Sequence, residues 1–163
     1  MAAVNRKIYR QLLANEIGQA LMNAGVVQAV YPFRVGNFNG QSPVVTFTSA
    51  GSDRRQEITG GVDAETALMF AIDVFVLYAD PASNWTEANA EDAIDDIEQV
   101  VADWVMTNSD GLSRSEQGQT SWFDLVFNER SATGSLLQAE RLGGQEYRRE
   151  RMTITVSIRA GAS

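Results

Sequence analysis

Residues 68–79 read Leu-Met-Phe-Ala-Ile-Asp-Val-Phe-Val-Leu-Tyr-Ala, and this stretch decides the fold. In an extended chain Phe70, Ile72, Val74, Val76 and Tyr78 fall on one side, and Met69, Ala71, Phe75 and Leu77 on the other. Both sides are apolar and rich in β-branched and aromatic residues. That predicts a central strand covered on both faces. Asp73 alone interrupts the second face. A carboxylate in such a place is a functional group, or else a residue that lies near a sheet end or accepts hydrogen bonds from backbone donors.

Two further strands follow along the chain. Residues 122–128 alternate, with Phe123, Leu125 and Phe127 on one side. Residues 147–159 alternate more strongly, with Met152, Ile154, Val156 and Ile158 inward and Thr153, Thr155, Ser157 and Arg159 outward. Before the central strand, residues 26–34 and 44–48 read as short strands. Pro32 has no N–H for a ladder, which puts the first at a sheet edge or Pro32 at a bulge.

Two helices complete the set. Over 5–24, Tyr9, Leu12, Leu13, Ile17, Ala20, Leu21 and Ala24 recur at three- and four-residue steps, with Asn5 as cap and Gly25 past the last turn. Over 87–106, Ala90, Ala93, Ile94, Ile97, Val100, Val101, Trp104 and Val105 form a second stripe, and Thr86 or Asn84 can cap it. Apolar stripes need a sheet to cover. The expected fold is α+β: one domain over 1–163 with a mostly antiparallel sheet of four to five strands packed by two helices. The polar stretches 49–66 and 131–146 are expected as projecting, mobile hairpins or loops, and 108–118 as a further loop. The core is expected to combine Leu13, Ile17, Ile72, Val74, Ile97, Val101, Trp104, Ile154 and Val156.

Charge is segregated along the chain. Residues 56–113 hold thirteen acids and no Lys or Arg, while the flanks carry all thirteen bases and leave a net charge of −8. Such a split suits a molecule with one acidic and one more basic face, and such faces steer or dock partners. Glu91, Asp92, Asp95, Asp96, Glu98 and Asp103 fill the exposed arc of the second helix. Arg141, Arg148, Arg149 and Arg151 gather near the last strand. Arg141, Arg148, Arg149 and Arg151, together with Asp92, Asp95 and Asp96, are the candidate subunit-interface residues.

The 163 residues contain no Cys and no His. That removes thiolate chemistry, disulfides, the usual zinc ligands and the commonest general base. No nucleotide-binding glycine loop and no nucleophile elbow is present. Asp92, Asp95 and Asp96 could hold a hard cation, yet acids one turn apart on a solvated helix face ordinarily bind nothing specifically. No catalytic, cofactor or metal residue is therefore assigned, and no enzyme is expected. No signal peptide and no membrane span is read, so synthesis in a cytoplasm is expected. The acidic balance argues against specific nucleic-acid binding.

Several segments together resemble one known family. A helix ending Leu21-Met-Asn-Ala-Gly25 leads to a strand ending Tyr31-Pro-Phe-Arg34. Then come the apolar strand 70–78, the acidic helix with Trp104, and the final strand from Tyr147-Arg through Met152-Thr-Ile-Thr-Val-Ser-Ile-Arg159. In size, order of elements and loop placement, nearly the whole chain resembles the tail-terminator, or tail-completion, proteins of long-tailed bacteriophages. The resemblance implies an α+β virion subunit, made in the bacterial host, that forms a ring of itself, generally hexameric. It implies a ring that caps the finished tail tube, meets the tail-tube protein and a head-completion or connector protein, and lets DNA pass. Another neck or tail component is the nearest alternative. A small carboxylate-dependent enzyme or ligand-binding domain is the alternative from a different class.

Overall fold

The computed structural model describes residues 5–56, 64–109, 124–128 and 138–160. Helix α1 (Arg6–Ala24) starts where the Asn5 side chain accepts a hydrogen bond from the Lys7 N–H at 3.0 Å. It ends at Gly25, whose φ of 72° turns the chain away. Strand β1 (Ala29–Tyr31) is shorter than the expected 26–34 at both ends, and Pro32, which has no N–H, follows its last paired residue. Strands β2 (Val44–Gln56) and β3 (Ala64–Leu77) form a long antiparallel hairpin with a register shift between Ser49 and Gly51. A short 3₁₀ turn, Pro81–Ser83, leads to helix α2 (Glu87–Asn108), capped by the Thr86 hydroxyl accepting from the Asn89 N–H at 3.2 Å. Strands β4 (Asp124–Asn128), β5 (Gln138–Leu142) and β6 (Gln145–Ala160) follow.

The sheet runs β1-β2-β3-β6-β4. β1 pairs with β2 in parallel and the other pairs are antiparallel. The α+β class and the mostly antiparallel sheet thus agree with expectation. β3 occupies one edge of β6, so β4 and β5 share the other, β4 opposite residues 153–157 and β5 opposite 145–149.

The stretch 49–66, expected as a projecting hairpin or loop, is the far end of a hairpin where it is described, and part of 131–146, expected as a loop or arm, is strand. Residues 49–56 extend β2 and 64–66 begin β3, because pairing with neighbouring strands satisfies their backbone groups whatever their side chains. Within 131–146, residues 138–142 are β5, joined to β6 by Gly143-Gly144. β5 escaped detection because an edge strand held by backbone bonds needs no apolar alternation. Residues 57–63 and 129–137, and most of the loop expected at 108–118, lie outside the described residues. So do the side chains of 124–128, on which the expected Leu125–Phe127 face rests, and Phe123 as a whole.

Alternation along β3 sorts the interior into two layers. On one face Ile72, Val74, Ile154, Val156, Val45 and Phe47 meet Leu13 and Ile17 of α1 and Ile97 and Val101 of α2, all fully buried. Trp104 is half-buried at the margin of this core, not inside it as expected. On the other face Phe38, Val44, Phe75, Leu77 and Tyr147 form a smaller cluster. Phe38 lies 4.9 Å from Phe75 and edge-on to Tyr147 at 5.4 Å, measured between ring centroids. The segment carrying Phe38 is held down by Leu77 N–H donating to the Ser42 hydroxyl at 3.0 Å and Tyr147 O–H donating to the Gln41 carbonyl at 3.0 Å.

Candidate functional site

Asp73 lies on the face of β3 that carries Phe75 and Leu77, opposite to the helices. The register sets Thr46 of β2 on one side of it and Arg151 of β6 on the other. Arg151 closes on it with two hydrogen bonds, Nε to Oδ1 at 2.8 Å and Nη2 to Oδ2 at 3.0 Å. Asp73 is 5 % exposed, whereas the Arg151 side chain is about half exposed at 50 %. The carboxylate would be costly to bury alone, and the planar two-pronged guanidinium satisfies both of its oxygens. Asp73 thus accepts from an arginine side chain, where backbone donors were the expected alternative to a functional role.

Around this pair is a pocket of about 240 Å³, lined by Arg34, Val35, Thr46, Thr48, Ser49, Asp73, Phe75, Leu142, Arg149 and Arg151. Three guanidiniums and one carboxylate give the lining a net positive charge. Arg149 and Arg151 share it because residues two apart on a strand face the same way. Arg34 comes from beyond β1, two residues after Pro32, and the Ser49 hydroxyl is buried with no hydrogen-bond partner among the described residues.

The same alternation sends Arg148 to the helix side. Its Nη1 donates to Glu91 Oε1 of α2 at 2.6 Å, and its guanidinium lies 5.7 Å from the centre of the Tyr78 ring. Tyr78 in turn donates its hydroxyl proton to Glu146 Oε2 at 2.9 Å, and that hydrogen bond raises the phenol's pKa. The four expected interface arginines are therefore not one patch. Arg149 and Arg151 line the pocket, Arg148 ties β6 to α2, and Arg141 is exposed on β5 next to the hairpin turn. Asp92, Asp95 and Asp96 are exposed on α2. Among the described residues no group of three or more acids is placed to hold a metal ion, and no helix is long and apolar enough to cross a membrane.

Sequence reasoning missed Arg34 and the pairing of Asp73 with Arg151. The parity of Arg149 and Arg151 against Met152 and Ile154 was a usable signal that the two arginines leave the core face. Nothing local signals which residue of a strand 78 positions away lies opposite Asp73. No protein-family model matches the chain, and no curated protein is significantly similar to it.

Proposed function

We propose that this chain is a subunit of a ring that caps the tail tube of a long-tailed bacteriophage and presents the surface for head joining, with DNA passing through its centre. The resemblance of its segments to tail-terminator proteins suggests the ring. One structural observation supports it: the acidic arc of α2 and the arginine-lined pocket lie on opposite faces of the sheet. Asp92, Asp95, Asp96 and Asp103 are exposed on α2, which covers one face of the sheet. Arg34, Arg149 and Arg151 line the pocket on the other face. A closed ring needs a contact between two unlike surfaces of successive copies, and the acidic arc of α2 and the arginine-lined pocket are two unlike surfaces.

The partners under this reading are further copies of the chain, a tail-tube protein and a head-completion or connector protein. The reading assigns no catalytic step. Light scattering across concentration and salt, with electron micrographs of large species, tests it. A species of ring mass, six subunits under this reading, is the expected result, weakened by salt because exposed ion pairs are screened. A two-fold dimer at every concentration would overturn it, because an isologous contact closes at two.

A further inference from the structure

We propose that Asn39-Gly40 is a self-modification site: without an enzyme, the chain converts Asn39 through a cyclic imide to aspartate and iso-aspartate, and the iso-aspartate form loosens the aromatic cluster beneath the turn. The site is independent of the ring reading. Asn39-Gly40 is the only Asn-Gly pair in the sequence. Both residues are exposed. They have φ of 52° and 79°, and the Gln41 N–H donates to the Phe38 carbonyl at 3.0 Å across them. That is a type I′ turn with the pair at its tip. Among the described residues, neither the Asn39 side chain nor the Gly40 N–H has a hydrogen-bond partner.

The reaction is intramolecular. Hydroxide removes the Gly40 amide proton, and the nitrogen attacks Cγ of Asn39. The new N–Cγ bond closes a five-membered imide, the Cγ–Nδ2 bond breaks, and ammonia leaves with a proton from water. Water then opens the ring. Attack on Cγ breaks the N–Cγ bond and gives aspartate. Attack on the main-chain carbonyl carbon breaks the original peptide bond and leaves the chain running through Cγ, which is iso-aspartate. Helices and strands oppose such attack, because their amide protons are engaged and their dihedrals fixed. Here the amide is open and glycine has no Cβ to hinder it. Turning the Asn39–Gly40 peptide over only converts the turn from type I′ to type II′, with φ still positive at position 39.

The turn sits between two anchors. Phe38 is 1 % exposed and lies against Phe75 and Tyr147. Gln41 accepts from the Tyr31 hydroxyl through Oε1 at 2.7 Å and from the Tyr147 hydroxyl through its carbonyl at 3.0 Å. Iso-aspartate adds a methylene to the main chain between Phe38 and Gln41, so the turn bond and both anchors are no longer held at once. Aspartate adds a charge and leaves the chain length unchanged.

The test ages the full chain at mildly alkaline pH beside a synthetic peptide of residues 36–43, with peptide mapping by mass spectrometry. The folded chain should convert position 39 within about tenfold of the peptide's rate, and faster than any other asparagine of the described residues. Asn39→Gly keeps a turn that glycine accepts and has no side chain to cyclise, so it should not change. Freshly made Asn39→Asp carries the charge without the methylene. Hydrogen exchange at the amides of Gln41 and Leu77, which bond to Phe38 and Ser42, should quicken in the aged wild type and in neither variant. A folded chain still intact at position 39 when the peptide has fully converted overturns the site. Conversion with exchange unchanged overturns the loosening. Equal quickening in aged Asn39→Gly places the change elsewhere, and quickening in fresh Asn39→Asp assigns it to charge; either overturns the added methylene as the cause.

Discussion

Asp73 and Arg151 are opposite partners in the β3–β6 register, and their unequal burial decides how each substitution behaves. Removing Arg151 leaves a carboxylate that is 5 % exposed without its two donors. Arg151→Ala should cost about 2–3 kcal/mol, below the about 3–5 kcal/mol of a fully buried pair because water reaches the arginine side. Asp73→Asn should cost less, since the amide oxygen still accepts and the half-exposed guanidinium rehydrates. Urea melts of the two variants check the order, and an Arg151→Ala as stable as wild type would show the pair to be dispensable. A second residue-scale effect comes from Tyr9, whose phenol is pushed up by burial from 10.0 to about 12. Between those values the unfolded chain has lost the proton and the folded chain keeps it. Stability is therefore fully present below about pH 10 and falls as pH rises toward 12, by roughly 2–3 kcal/mol from this group. Tyr147, raised mainly by its own burial, adds to the fall. Tyr9→Phe should flatten the decline in melting temperature across that window. A decline of unchanged slope would rule Tyr9 out as its source.

Among the elements, the β5–β6 hairpin depends most on single residues. Leu142 and Gln145 pair directly across Gly143 and Gly144, which have φ of 59° and 82°. Two successive positive values mark a type I′ turn, the form whose twist matches the strands, and glycine takes it without strain. At Gly143 an added Cβ would also meet the Asn37 side chain, whereas at Gly144 it meets nothing. Gly143→Ala should thus destabilise by about 1–2 kcal/mol from backbone strain alone, and more from the clash. Gly144→Ala should lose only the backbone strain, about 1–2 kcal/mol, since its Cβ meets nothing. Thermal melts of both check this, and equal losses would contradict the role of Asn37. The hairpin also carries Leu142 and Arg149 into the pocket lining, so the turn positions part of the candidate site.

The sheet separates the acidic arc of α2 from the arginines that line the pocket. α2 places its acids on one side, and the strands place Arg34, Arg149 and Arg151 on the other. The basic group is a pocket with a carboxylate inside it, not a stripe that could follow a phosphate backbone. Together with the net charge of −8, this predicts no tight binding of duplex DNA by the isolated chain. Gel shifts at low salt should show none below micromolar protein. A sub-micromolar shift, lost in Arg34→Gln/Arg149→Gln, would instead make the pocket a phosphate site.

The sequence alone determined the elements whose signal is local. Helical spacing and the caps at Asn5 and Thr86 placed α1 and α2 within two residues at each end, because those groups interact within one turn of the chain. Period-2 alternation placed β3 and the core face of β6, because each strand face meets one layer. The same alternation carried an unused signal that Arg149 and Arg151 leave the helix face while Arg148 stays on it, although the sequence grouped them as one cluster. What remained hidden depends on pairing between distant residues. β5 has no apolar rhythm, since backbone bonds to β6 hold it. The polar half of β2 is ordered by β3 in the same way. The Asp73–Arg151 pair, the turn of Arg148 toward Glu91 and the entry of Arg34 into the pocket follow from strand register and from the path of residues 32–43. Tertiary structure alone decides these, because register and chain path are set by the summed packing of the core and not by any residue's neighbours in sequence.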